Sequence, residues 1–299
     1  MAKFTILITT KNRISDLKIT LKQISFLIKS GQVLCSICDD ASQDETSDFI
    51  KTNYPEIELF SNKNSQGCIT NRNFLLNNTK TPFAISLDDD AVFATQNPLQ
   101  GIEDFFDANP KCGLLGFRIF WGLALPNNIS TTKAPKIMKS FVGCGHVWRM
   151  SCWRDIPNYP EWFEFYGEED FASYHMFLKK WTVMYFPKIL VHHRVDVKNR
   201  KKQNDHYARA HKNLRSAFFL YSLFYPKRCL PKTLSYIPYS VFRNKILKGD
   251  FKIIKPLLLA IKDFLLAIPI ILKNRKPLTI ADLKNFKALP DAEIYWDGK

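Results

Sequence analysis

The sequence predicts an α/β fold with a mainly parallel sheet flanked by helices, followed by a basic helical extension. Short apolar, β-branched runs alternate with amphipathic helical patterns over the first ninety residues. Polar clusters follow the apolar runs, where open α/β sheets bind their ligands. Residues 1–190 carry 20 Lys/Arg and 20 Asp/Glu, whereas residues 191–299 carry 23 and 8, so the whole excess of +15 lies in the last third. We therefore predict a domain at 1–204 and a basic region at 205–299.

The individual elements follow from hydrophobic period and from capping residues. The predicted strands are Phe4–Thr9, Gln32–Cys38, Ile57–Phe60, Pro82–Leu87, Gly113–Phe120, Gly143–Arg149, Val183–Phe186 and Ile189–Val191. The predicted helices are Ser15–Ile28, Glu45–Asn53, Ile69–Asn78 and Phe171–Trp181, and from about residue 205 onward the pattern is helical. Ser15 is the expected cap of the first helix.

Composition excludes several classes of protein. A chain that is 46% hydrophobic is not globally disordered. Of its seven cysteines, only Cys35 and Cys38 form a C-x-x-C pair, and no second pair follows at zinc-site spacing. These thiols therefore fit buried, reduced cysteines of a cytosolic protein better than a zinc or redox site. No uncharged apolar run reaches 18 residues, so we expect no transmembrane span.

The strongest chemical signal is Asp88-Asp89-Asp90, directly after an apolar strand. Adjacent carboxylates repel one another, and hard oxygen ligands suit Mg²⁺ or Mn²⁺, which bind diphosphates. The alternative is a solvated acidic turn. The apolar residues on both sides place the acids at the edge of a core, which favours a metal site.

Four weaker clusters lie at comparable places. Asp39-Asp40 could bind a ribose or a base, or cap a helix. Thr10, Arg13 and Arg72 could line the same crevice. Glu168-Glu169-Asp170 precede a helix, where acids are stabilised by the dipole but where one could also deprotonate a sugar hydroxyl. His192-His193 could complete a metal site or simply pack.

In order and spacing, these motifs resemble the family 2 inverting glycosyltransferases of GT-A fold. The resemblance covers about residues 3–195. The matching stretches are Ile8–Arg13, Ile37–Ser42, Asn64–Gly67 with Asn71–Asn73, Leu87–Asp90, Gly143–Gly145, Gly167–Asp170 and His192. The helix at 205–225 looks like the one that follows the catalytic domain in rhamnosyltransferase-like members.

The resemblance implies a role for each motif. The nucleoside would be held by Thr10, Arg13, Asp39, Asp40 and Arg72. Asp88, Asp90 and His192, with His193 as the alternative, would hold Mn²⁺ or Mg²⁺ at the diphosphate. Asp89, Gly145 and Glu168 would contact the donor sugar or the acceptor. The catalytic base would be Asp170 or Glu169, with Asp170 favoured.

This sequence departs from the family pattern at two points. The helix after the acids lacks the second acid and the Arg that the family usually shows. Lys180 also stands where a Gly commonly precedes the aromatic residue, which leaves room for a short deletion.

The implied function is transfer of a sugar, from a UDP- or dTDP-sugar, to a hydroxyl of a glycan or lipid-linked acceptor in surface polysaccharide assembly. Lys252, Lys255 and Lys262 punctuate an apolar run in the basic region, which indicates an in-plane helix on an anionic membrane, although a helix docked on the catalytic domain would show the same pattern. We therefore expect a cytoplasmic protein, peripheral on the inner face of the cell membrane.

The sequence supports three other functions less well. A non-catalytic nucleotide- or glycan-binding relative would explain the atypical helix after the acids. A nucleic-acid binder would spread its aromatics over a basic groove, which this chain does not. A nucleotidyltransferase would need a Gly-rich phosphate loop after the first strand, and none is present.

Overall fold

The computed structural model describes residues 2–125, 127–196 and 205–295. Its strands are β1 Phe4–Thr10, β2 Val33–Asp39, β3 Glu58–Ser61, β4 Phe83–Leu87, β5 Ala91–Phe93, β6 Cys112–Trp121, β7 Lys136–Met138, β8 Gly145–Arg149, β9 Thr182–His193 and β10 Ile294–Tyr295. Its α-helices are α1 Ile14–Lys29, α2 Thr46–Asn53, α3 Cys68–Asn78, α4 Pro98–Ala108, α5 Met150–Asp155, α6 Glu168–Leu178, α7 His206–Phe224, α8 Leu230–Asn244, α9 Ile254–Asn274 and α10 Ile280–Ala288. The predicted α/β fold with a mainly parallel sheet is confirmed.

Sheet topology explains why the polar clusters converge. The strand order is β3-β2-β1-β4-β8-β6-β9-β5, with β10 beside β6 and β7 beside β9. Strands β3, β2, β1 and β4 are parallel, while β8 is antiparallel to both β4 and β6. The start of β8 therefore lies at the carboxyl end of β4, with Gly145 opposite Leu87. Strand β9 runs parallel to β6 and ends at the same edge.

Hydrophobic layers cover both faces of the sheet. Helices α1 and α4 bury Leu17, Leu21 and Phe106 against one face. On the other face, residues of α3, α5 and α6 share a single cluster with Phe219 of α7 and Phe286 of α10. The C-terminal helices thus complete the core of the sheet. The predicted boundary at 204/205 falls at the end of 197–204, outside the described residues.

Several predicted elements differ in detail. Helix α1 begins at Ile14, and its flanking residue Arg13 makes no side-chain cap, so Ser15 is not the cap. Instead, the carboxylate of Asp44 accepts a hydrogen bond from the Ile14 amide. Helix α6 begins three residues earlier than predicted and includes the acids in its first turn. The two strands predicted at 183–191 are one, β9, because a register shift against β6 absorbs Pro187.

Among the described residues, no helix is both long and apolar enough to cross a membrane. Cys35 and Cys38 are buried and free. Burial raises the pKa of Cys38 to about 11, so it is a thiol at neutral pH.

Candidate active site

Two carboxylates and one imidazole form a cluster at the carboxyl edge of the sheet. One ligand atom from each of Asp88, Asp90 and His193 lies within 4.8 Å of the others. His193 Nε2 is 2.9 Å from Asp90 Oδ1. Burial favours the neutral form of Asp90, but hydrogen bonds and charge from His193 and Arg13 outweigh it and lower the pKa of this carboxyl. An ionised carboxylate at this position is suited to a cation.

The donor set fits a divalent metal. Carboxylates suit Mg²⁺ and Mn²⁺, whereas imidazole is a ligand of transition metals, so the mixture favours Mn²⁺ over Mg²⁺. His193 Nδ1 is buried without a hydrogen-bond partner, which leaves that ring atom unsatisfied. Arg13 and Arg72 pair with the carboxylates that would face the metal and the diphosphate.

The two adjacent histidines point to different surroundings, because successive residues of a strand face opposite sides of the sheet. His192 was favoured from sequence as the ligand, but its Nε2 lies 2.7 Å from the Gly122 carbonyl oxygen. His193, the sequence alternative, is the one that faces Asp90. Trp121 packs edge-on against the His193 ring, at 5.7 Å between centroids.

Asp89 lies behind the metal-facing pair. It is buried, accepts a hydrogen bond of 2.8 Å from Thr10 Oγ1, and pairs with Arg13 Nε at 3.2 Å. Burial, opposed by the Arg13 charge, raises the pKa of Asp89 to about 7. Arg13 Nη2 also reaches Asp90 Oδ2 at 2.5 Å. Thr10 and Arg13 therefore organise the acidic triplet from the end of β1.

Asp39 and Asp40 are saturated by protein groups. Asp40 accepts hydrogen bonds from Asn62, Ser65, and the amides of Gln66 and Gly67, at 2.6–3.1 Å. Burial works against ionisation, but these donors outweigh it and hold the pKa of Asp40 well below its usual range. The two oxygens of Asp39 accept from the Ser42 amide and the Ser47 hydroxyl. In this arrangement both side chains shape the loops around the crevice.

Arg72 bridges the metal-facing acids and the acids of α6. Its side chain is largely buried, with Nη2 at 2.8 Å from Asp88 Oδ1 and Nη1 at 3.0 Å from Glu168 Oε1. Burial and the charge of Glu168 raise the pKa of Glu169 well above its ordinary value, although Arg72 opposes this. A carboxylate whose proton affinity is raised in this way is a stronger base.

Asp170 faces another environment, although the sequence favoured it as the base. Burial raises the pKa of Asp170 above its ordinary value, although a hydrogen bond with Ser140 and the charge of Lys139 oppose this. Glu169, by contrast, lies against Gly143 and close to Arg72, because a Cβ added to Gly143 would be 2.4 Å from Glu169 Oε1 and 3.4 Å from Arg72 Nη1. Glu169 is thus the acid of this pair that is closely associated with Arg72.

Gly143 lies directly against the carboxylate of Glu169. We expect Gly143→Ala to lower kcat about 100-fold while leaving folding almost unchanged, since the new methyl group meets the movable end of Glu169 and pushes it aside by about 1 Å. Steady-state kinetics and thermal unfolding measure the two effects. Gly101→Ala in α4 is the matched control, because its nearest atom is 3.8 Å away. Equal kcat values for both variants would contradict this role.

The loop before α6 has an unusual backbone that α7 supports. Glu164, Tyr166 and Gly167 have φ of +60°, +68° and +91°, and such angles are unfavourable for residues with a Cβ. Arg215 of α7 donates to the Phe163 carbonyl and pairs with Glu164 Oε2 at 3.0 Å. Ser216 Oγ donates to the Tyr166 carbonyl at 2.7 Å. Helix α7 therefore fixes the position of the loop from which α6 and its first-turn acids begin.

Arg215→Ala is expected to destabilise the fold by about 2 kcal/mol, because charge-assisted hydrogen bonds to the loop are lost. For a chain of this size that lowers Tm by roughly 4–8 °C. We also expect kcat to fall at temperatures where the variant is folded. Arg215→Lys keeps the positive charge, so we expect its Tm and kcat to lie between those of the wild type and Arg215→Ala. If folded Arg215→Ala keeps the kcat of the wild type, then the loop before α6 keeps its conformation without Arg215.

The model of the family described as Glycosyl transferase family 2 matches residues 5–180, more than half of the chain. The chain belongs to glycosyl transferase family 2. No protein of curated function matches it in sequence.

Solved structures show that this family 2 member has the GT-A glycosyltransferase fold. S. aureus TarS 1–349 superposes with a TM-score of 0.57 at 15% identity, covering 89% of this chain and 81% of that one. The mannosyltransferase PcManGT from Pyrobaculum calidifontis, in complex with GDP-Man and Mn²⁺, gives 0.56 at 11%, covering 95% and 78%. GalNAc-T7 with UDP, GalNAc and Mn²⁺ gives 0.58 at 14% over 76% of this chain, which spans only about half (49%) of that one.

Family membership establishes the general class of activity, which is glycosyl transfer. In this family 2 glycosyltransferase, Lys180 takes φ +64° at the position where a Gly is common. Lys180 therefore adopts the left-handed conformation itself, which accommodates the sequence departure without a deletion. The Arg72 bridge and the support from Arg215 were not found from sequence, because Arg72 and Glu168 are 96 positions apart and Arg215 and Glu164 are 51 positions apart.

Proposed function

We propose that this protein is a Mn²⁺-dependent inverting glycosyltransferase with Glu169 as its catalytic base. The observation that carries the proposal is the Arg72 bridge, which couples the metal-facing Asp88 to the first turn of α6. One end of this guanidinium pairs with an acid of the metal-binding cluster, and the other end pairs with Glu168, the neighbour of Glu169. A cation site for the diphosphate and a basic carboxylate beside the same guanidinium are the parts that a single displacement needs.

Asp88, Asp90 and His193 would hold the metal. When bound, Mn²⁺ supplies Lewis-acid neutralisation of the charge on the nucleoside diphosphate. Arg13 and Arg72 already pair with these carboxylates. The same two guanidiniums would donate to phosphate oxygens of the donor in a bidentate manner. Donor binding is thereby coupled to the order of the acidic triplet.

Glu169 would accept the acceptor proton. The acceptor hydroxyl oxygen forms a bond to the anomeric carbon, the bond from that carbon to the diphosphate oxygen breaks, and the hydroxyl proton passes to the Glu169 carboxylate. The raised proton affinity of Glu169 favours this transfer. One displacement inverts the anomeric configuration. Glu168, held by Arg72, would position its neighbour and contact the acceptor.

The nucleoside would occupy the crevice at the ends of β1 and β2. Thr10 and Arg13 would form one wall, through Asp89. The loops held by Asp39 and Asp40 would form the other wall. The backbone before β8, at Gly143, would lie against the donor sugar, whereas the buried Gly145 faces Ile119 and Val191. We propose a UDP- or dTDP-linked hexose or deoxyhexose, by analogy with structures such as S. aureus TarS in complex with UDP-GlcNAc.

The acceptor would be a glycan or a lipid-linked glycan in surface polysaccharide assembly. A lipid-linked acceptor requires the enzyme to work at a membrane surface. The basic C-terminal region supports that placement, and with it a peripheral position on the inner face of the cell membrane.

Transfer assays test the proposal. Purified protein is incubated with UDP-, dTDP- and GDP-sugars and simple glycoside acceptors, with Mn²⁺ or with EDTA. We expect one donor class to be used, only with metal, and proton NMR to show inversion at the anomeric carbon. If the protein binds a nucleotide but neither transfers the sugar of any donor to an acceptor nor hydrolyses any donor, the non-catalytic binding relative is supported instead.

A further inference from the structure

The outward side of α9 is apolar, where a surface helix is normally polar. Its inward side packs Pro256, Ala260 and Ile271. Exposed residues recur every three to four positions on the other side and are mostly aliphatic. They include Leu258, Leu265, Leu266 and Leu272, at 61, 57, 71 and 65% exposure. An apolar stripe this long on a single helix marks a binding surface.

Helix α8 and the turns that follow it extend the stripe. Ile237 of α8 and Ala260 of α9 share a small core with Phe218 of α7, so α8 and α9 both pack on α7. The side chains on their outward sides are aromatic or aliphatic and exposed by about half or more. They are Tyr236, Tyr239, Phe242, Leu247 and Phe251. Tyrosines with an exposed ring and hydroxyl suit a boundary between apolar and aqueous phases.

The charge of this region has one sign. Residues 227–276 contain twelve Lys and Arg but only two acids, Asp250 and Asp263. Both acids are engaged by α7, since Asp250 accepts from Tyr207 and Asp263 lies 2.7 Å from His211 Nε2. Lys255, Lys262 and Lys273 are exposed within the stripe of α9. The apolar surface therefore contains cations whose charge no acid of the stripe neutralises.

We infer that this surface binds an anionic lipid bilayer, with α8 and α9 lying in its plane. We name it the lipid-facing surface, defined by Tyr236, Tyr239, Phe242, Leu247, Phe251, Ile254, Leu258, Leu265, Leu266 and Leu272. The aliphatic side chains enter the acyl boundary while the lysines extend to the headgroups. A protein partner would leave these cations against a second apolar surface, and a nucleic acid would leave the leucines in water.

Lipid binding at this surface also places the active site close to the membrane. Arg215, which supports the loop before α6, lies 3.7 Å from Asp263 of α9. The helix that meets the bilayer is therefore two contacts away from Glu168–Asp170. The inference extends the proposed lipid-linked acceptor, but its test does not depend on sugar transfer.

Flotation of the full chain with vesicles provides the test. The vesicles are phosphatidylcholine alone or phosphatidylcholine mixed with phosphatidylglycerol. One variant carries Leu258→Glu and Leu266→Glu, and its control carries Phe26→Glu and Leu34→Glu, two apolar residues of α1 and β2 that are each 54% exposed. A second variant changes Lys255, Lys262 and Lys273 to Glu. Its control changes the exposed Lys22, Lys51 and Lys63 to Glu.

We expect the wild type and both controls to bind phosphatidylglycerol vesicles, more weakly at high salt, and both surface variants to lose more than tenfold in partition. Equal binding to both vesicle types, or surface variants that float like their controls, would overturn the inference. So would a wild-type dimer that does not float and that Leu258→Glu with Leu266→Glu dissociates. Thermal unfolding verifies that each variant is folded. Glu169→Gln should float normally, so loss of transfer and loss of lipid binding are distinguishable.

Discussion

Replacing Glu169 with Gln is expected to lower kcat by about 10²–10⁴-fold while leaving donor binding within a few-fold of the wild type. A positioned general base contributes a factor of this size. The amide keeps the shape of the side chain beside Gly143 but cannot accept the proton. Steady-state kinetics give kcat, and titration with the nucleoside diphosphate and Mn²⁺ gives binding.

Asp170→Asn is the matched control for this result. It changes the next residue of the same helical turn, whose environment contains Ser140 and Lys139. We expect its kcat to stay within about tenfold of the wild type, which is below the range for losing a base. The reverse ranking, with Asp170→Asn inactive and Glu169→Gln active, would return the role of base to Asp170.

Asp90→Ala is expected to abolish metal-dependent transfer, with a loss of roughly 10³-fold. Lewis-acid stabilisation of the leaving group supplies several kcal/mol, and each 1.36 kcal/mol is a factor of ten in rate. Asp90 also holds His193 at 2.9 Å, so two of the three metal donors are disturbed together. Titration of Mn²⁺ followed by electron paramagnetic resonance measures the loss of the site directly.

Asp16→Ala is the control for Asp90→Ala. Asp16 also pairs with Arg13, at 3.1 Å, but lies outside the donor set. We expect it to bind Mn²⁺ and to retain activity. If both variants lose transfer equally, then the position of Arg13, and not the metal, accounts for the effect of Asp90.

The sequence predicted most of the sheet, because each buried strand is a short apolar run bounded by polar residues. The family resemblance implied that Asp88, Asp90 and a histidine at 192 or 193 would share a metal site, and in the structure those strand ends lie at one edge of the sheet. The sequence did not predict the short strands β5, β7 and β10 or the helices α4 and α5. The three residues of β5 are too few for a period, and a Gly interrupts α4.

The choice between neighbouring residues could not be made from sequence. His192 and His193 differ by which side of β9 they occupy, and Glu169 and Asp170 differ by about 100° around α6. Those orientations depend on strand register and on the first residue of the helix. The early start of α6, at Glu168 beside the left-handed Gly167, turns Glu169 toward Gly143. A helix predicted to begin at Phe171 leaves the acids outside the helix, so it does not show which acid faces Gly143.

The most direct test of the central claim is thermal unfolding with UDP, dTDP, GDP and CDP, each with and without Mn²⁺, on the wild type and on Asp90→Ala. A ligand at a hundredfold its Kd stabilises by about 2.7 kcal/mol. We predict that one nucleoside diphosphate raises the Tm of the wild type by several degrees only when Mn²⁺ is present, and that Asp90→Ala shows no rise. A wild type that no nucleotide stabilises with Mn²⁺, or an Asp90→Ala variant that is stabilised equally, would contradict the metal-dependent transferase.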